Sequence, residues 1–116
     1  MDALDGKFTG VIHKVKDGSF VPPDEWMVFL IKDAALLPML EFFRNLCLGV
    51  APGPGAGVCA ATLDVALARI RKVSPADRAA QSDAVDRCIK RVRAWQGAHP
   101  DRVKGAGVEL GERLQG

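Results

Sequence analysis

Trp26 to Leu48 reads Trp-Met-Val-Phe-Leu-Ile-Lys-Asp-Ala-Ala-Leu-Leu-Pro-Met-Leu-Glu-Phe-Phe-Arg-Asn-Leu-Cys-Leu, apolar except at Lys32-Asp33, Glu41, Arg44 and Asn45. A membrane-spanning helix needs roughly 20 predominantly apolar residues. A Lys-Asp pair inside one would be costly. The stretch therefore divides at Asp33 into two buried elements, a strand followed by a helix.

The first half, Trp26 to Ile31, is apolar at every position, so neither of its faces expects water. Upstream, Phe8 to Val15 is rich in strand formers and runs into Lys16-Asp17-Gly18-Ser19. Asp-Gly between apolar runs signals a tight turn, because glycine accepts positive φ without steric cost. Pro22-Pro23 holds the chain extended before the second run. Residues 8–31 thus read as a β-hairpin. A lone hairpin cannot cover both faces and edges of so apolar a strand, so helices must cover its faces. One edge is left for another chain or for the segment around Val108-Leu110.

The second half reads as a helix over residues 34–48 with Asp33 as N-cap. Pro38 either kinks its first turns or marks a start nearer Leu37. Glu41, Arg44 and Asn45 share one narrow polar stripe, and the remaining positions are apolar, more than a half-exposed helix requires. Gly49 to Gly57 is a glycine- and proline-rich loop. A second helix runs over 59–73, with Leu63, Ala66, Leu67, Ile70 and Val73 on one face. A third runs over 75–97. Its start is marked by Ser74 at N-cap, Pro75 at N1 and Asp77 at N3. Val85, Cys88, Ile89, Val92 and Trp95 form its apolar stripe, and Gly97 and Pro100 stop it.

The predicted fold is α+β: an N-terminal β-hairpin packed against three helices. The alternative is a mostly α-helical protein in which residues 25–48 form one helix kinked at Pro38. Residues 1–98 are expected to form one globular domain, and 99–116 a loosely ordered C-terminal tail.

The chain has 116 residues and a net charge of +2, which names no partner. Its distribution is uneven. Residues 1–33 carry four Lys and six acids, whereas 59–97 carry eight bases and four acids. The basic excess sits on the later helices. Three cysteines, Cys47, Cys59 and Cys88, are widely spaced, and the first residues are acidic rather than apolar. Free thiols and a cytoplasmic location are the expectation.

Arg69, Arg71, Lys72, Arg91 and Arg93 are candidates for contact with a partner or a polyanion. Against this, Asp83 precedes Arg87 and Asp86 precedes Lys90 by four residues, the order that favours pairing within a helix. The loop 49–57 precedes a helix N-terminus, but Pro52 and Pro54 remove donors and Val58-Cys59 follows in place of Lys-Ser/Thr. Cys47, Cys59, Cys88 and His99 lack the close ligand pairs of a zinc site. His13 and His99 are the imidazoles available to a nucleophile, and no short motif ties either to one. No cofactor, metal or catalytic residue is expected. Trp26, Phe29, Leu40, Phe42 and Phe43 are the candidates for apolar core or interface.

The surplus of apolar surface points to a small non-enzymatic binding or regulatory protein acting through protein–protein contact, a homodimer included. Two alternatives stand beside it. One is binding of nucleic acid or a nucleotide by the basic helices 59–97; the other is a small enzyme using the 49–58 loop. No membrane partner is expected.

Overall fold

The computed structural model of the chain describes residues 2–53 and 57–105. It is α+β, with an N-terminal two-stranded antiparallel hairpin and three helices. Of these, the residues up to Leu30 form one compact unit and those from Ile31 to Gly105 another. The segment around Val108-Leu110, most of the expected tail, and Pro54, Gly55 and Ala56 of the glycine-rich loop lie outside the described residues.

In the first unit the turn forms as the sequence indicates, but the strands are shorter and differently chosen. Strand β1 is Ile12–His13 and β2 is Phe20–Val21, with Ile12 opposite Val21 and His13 opposite Phe20. Gly18 has φ of +72°, and the Asp17 carboxylate accepts both the backbone N–H and the hydroxyl of Ser19. A tight turn fixes its register at once, so the nearest extended residues after Ser19 complete the ladder. Pro22 and Pro23 offer no N–H and end it; Pro23–Glu25 is a 3-10 turn.

Trp26 to Ile31 is consequently neither the second strand nor part of a helix. The expectation of a segment shielded on both faces also fails: Met27 and Phe29 are exposed, while Trp26 and Val28 are half-buried. Asp5 organises this unit instead. Its carboxylate accepts the N–H groups of Lys7, Phe8 and Val28, each at 2.8 Å. Those bonds, Val28 foremost, hold its pKa below the usual value.

The second unit holds α1 (Leu36–Cys47), α2 (Ala60–Ile70) and α3 (Pro75–Ala98). Asp33 is displaced from the N-cap, which is Ala35; its carboxylate accepts the Ala35 N–H at 2.9 Å and thereby shapes the turn before the helix. Pro38 falls in the first turn, where its missing N–H leaves no intrahelical bond unmade. The end of α1 is a Schellman motif. Gly49, at φ +75°, donates to Leu46 O and Val50 donates to Asn45 O.

The start of α3 is the predicted one: Ser74 Oγ accepts the Asp77 N–H at 3.1 Å behind Pro75. Val85, Ile89 and Val92 are buried on one face, with Ser82 and the half-buried Gln96 continuing it. The spacing alternates three and four residues, a seam that keeps facing a neighbouring helix. That neighbour is α1, which contributes the buried Cys47, and the two run antiparallel. On α2, Leu67 is buried and Leu63, Ala66 and Ile70 are half-buried.

Beyond α3, Pro100–Arg102 is a 3-10 turn. Lys104 then forms a parallel bridge with Asp33, donating to Lys32 O at 2.8 Å and accepting from Ala34 N–H at 2.7 Å. No helix among the described residues is long and apolar enough to cross a membrane.

Candidate functional site

The two sides of the α1–α3 seam differ in character. At roughly 100° per residue, Asp86 and Arg93 fall on one side of Val85, Ile89 and Val92, and Gln81, Ala84 and Cys88 on the other. The first side is polar. Arg44 Nη1 donates to Asp86 Oδ1 at 2.9 Å, and Arg93 Nη2 donates to Glu41 Oε1 at 3.1 Å. The polar stripe of α1 therefore answers α3 across the seam. Asp86 is engaged by Arg44 and not by Lys90, and neither expected intrahelical pair forms among the described residues.

The second side is an open apolar groove of about 340 Å³, lined by Leu40, Phe43, Gln81, Ala84, Val85 and Cys88. Phe43 is 48 % exposed, and Met39 on the preceding turn is exposed too. Cys88 does not pack as a small core residue; its place on the wheel is the edge of the stripe, and the groove leaves it exposed. Exposed aromatic and aliphatic side chains in a concave site are the ordinary chemistry of protein recognition.

Of the other apolar candidates, Phe42 is half-buried on α1 and Phe29 is exposed in the first unit. Trp26 is half-buried, with its indole N–H enclosed and without an acceptor among the described residues. The structure thus brings Leu40 and Phe43 together at the groove and assigns Trp26, Phe29 and Phe42 elsewhere.

The five cationic candidates are not brought into one patch with one role. Arg71 donates to Gly49 O at 3.0 Å and so answers a free carbonyl at the end of α1. Arg78, which sequence reading passed over, does the same for Leu48 O at 3.2 Å and also holds Val73 O. Helix C-termini carry partial negative charge, which accounts for both guanidiniums. Arg93 is held by Glu41. Arg69, Lys72 and Arg91 are exposed, with no ion pair among the described residues.

Both imidazoles lean on backbone carbonyls. His13 Nδ1 lies 3.1 Å from Gly18 O, and His99 Nδ1 lies 2.8 Å from Trp95 O with its ring stacked on the Trp95 indole. Arg102 sits over the same indole at 5.0 Å. Cys59, exposed at the N-cap of α2, has its thiol pKa lowered by the Thr62 N–H, the Thr62 hydroxyl and the Ala61 N–H. Burial pushes the Cys47 thiol up. Among the described residues no three His, Cys, Asp or Glu side chains converge as a metal site would require.

Comparison of the chain with protein-family models, curated proteins and solved structures returned no match.

Proposed function

We propose that this chain is a small non-enzymatic binding or regulatory protein that acts through protein–protein contact at the α1–α3 groove. The observation that carries the reading is the groove itself: Leu40, Phe43, Ala84 and Val85 line an open apolar concavity on a helix pair whose other flank is closed by ion pairs. An apolar concavity left facing water is stabilised by whatever covers it. The polyanion reading loses Arg71 and Arg93, two of its five cations, to contacts within the fold.

The test is binding of an apolar fluorescent dye, read beside sedimentation velocity, on the full chain and on Phe43→Ser. Phe43 is exposed, so the substitution leaves the core intact. The expected result is dye binding or self-association by the parent chain, reduced at least several-fold by the substitution. A strict monomer at high concentration that binds no dye would remove the reading.

A further inference from the structure

The outer face of α3 beside the groove carries a second regular stripe: Asp77, Gln81, Ala84, Cys88 and Arg91, spaced by four, three, four and three residues. Four of the five are exposed and Ala84 is half-buried. Such spacing returns the stripe to one side of the helix over about four turns, with a drift of roughly 20° per heptad that slight supercoiling takes up. Within the fold no helix takes that position among the described residues, since α1 lies on the Val85–Ile89–Val92 seam. The stripe has an acid at its N-terminal end, a base at its C-terminal end and the smallest side chain at its centre. Neither Asp77 nor Arg91 has an ion pair among the described residues.

We infer that the groove is covered by a second copy of this chain, with the two α3 helices antiparallel and a twofold axis passing at Ala84. The inference rests on the protein-contact reading and specifies its partner. In a twofold interface a residue that meets another is met by it in return. Asp77 and Arg91 stand seven residues either side of Ala84, roughly 10 Å along the axis. The rotation therefore sets each Asp77 against the other copy's Arg91, giving two opposite-charge pairs from one stripe.

Ala84 admits the close approach of the backbones, and Gln81 and Cys88 of one copy enter the groove of the other beside Leu40 and Phe43. A parallel arrangement would set Asp77 against Asp77 and Arg91 against Arg91, and is disfavoured by its like charges. The product is a four-helix assembly built from two α1–α3 pairs, a geometry suited to a three-four spacing.

Sedimentation velocity on the full chain under reducing conditions tests this, with circular dichroism on every variant as the check of folding. The parent chain is expected to form a concentration-dependent dimer. Asp77→Arg and Arg91→Asp, each alone, place like charges at both symmetric positions and are expected to weaken the dimer by about tenfold or more. An equimolar mixture of the two variants restores both opposite-charge pairs and is expected to recover association as a mixed dimer. A monomer at every concentration overturns the self-pairing, while retained dye binding at Phe43 would keep the contact reading and assign the groove to a different protein. A dimer indifferent to both reversals, or variants that fail to rescue each other when mixed, overturns the Ala84-centred arrangement and leaves self-association through another surface.

Discussion

Gly49 does two jobs that no other residue type performs without strain. Its φ of +75° turns the chain out of α1, and its missing side chain leaves room for Arg78, whose Nη1 would lie 2.9 Å from an added Cβ. That guanidinium and Arg71 take the carbonyls of Leu48 and Gly49, just past the end of the helix. Gly49→Ala is therefore expected to destabilise the helical unit by about 1–2 kcal/mol, the usual cost of left-handed backbone for an L-residue. Urea unfolding followed at 222 nm checks it, and an unchanged midpoint would count against the capping role.

Asp5 is the corresponding residue of the first unit. Its folded pKa is depressed below the unfolded one, so its contribution to stability is present above the ordinary carboxylate range and is lost as pH falls through the folded pKa. Acidification below about pH 4 is expected to lower the protection of the Val28 amide against hydrogen exchange, relative to its intrinsic rate at that pH, before the α3 amides respond. Asp5→Asn should show that loss of protection already at neutral pH.

The elements were legible to different degrees, and the reason is physical in each case. The start of α3 was plain because Ser74, Pro75 and Asp77 act within four residues of one another. The turn at Asp17-Gly18 was equally plain. Trp26 to Ile31 misled because β-formers describe what a segment tolerates, while pairing was decided by the register of the turn, which Phe20 and Val21 met first.

The ion pairs across α1 and α3 were out of reach. Local rules see partners three or four residues apart, and Arg44 and Asp86 are 42 apart. For the groove, Leu40 and Phe43 could be named from their helix, but Cys88 and Ala84 become its wall only once α1 has chosen which side of α3 to occupy. The Arg44–Asp86 pair is only partly screened from water, with side chains 31 % and 41 % exposed. A double-mutant cycle with Arg44→Ala and Asp86→Ala is expected to give a coupling of about 0.5–1 kcal/mol, shrinking as salt is raised. A coupling near zero at low salt would mean that the pair fixes orientation without adding stability.

At the scale of the whole molecule, the described residues of the second unit hide little: Cys47, Leu67, Val85, Ile89 and Val92 are the buried apolar side chains among them. A domain with so few depends on every main-chain tie between distant parts. Lys104 supplies one, joined to residues 32 and 34 by two backbone hydrogen bonds. Lys104→Pro removes the N–H that reaches Lys32 O and is expected to cost about 1 kcal/mol in a denaturant titration. Lys104→Ala, which keeps the main-chain bonds, should cost almost nothing. Equal losses in the two would show that the side chain matters and the bridge does not.

That fastening also has a topological meaning. Residues 32–34, ahead of the first helix, and Lys104, beyond the last, are neighbours, so the three helices hang on a loop closed at its neck. A host protein could carry residues 32–104 spliced into a surface turn with its own ends undisturbed, and residues 32 and 104 could be stitched together by a few glycines with fresh ends cut after Gly53.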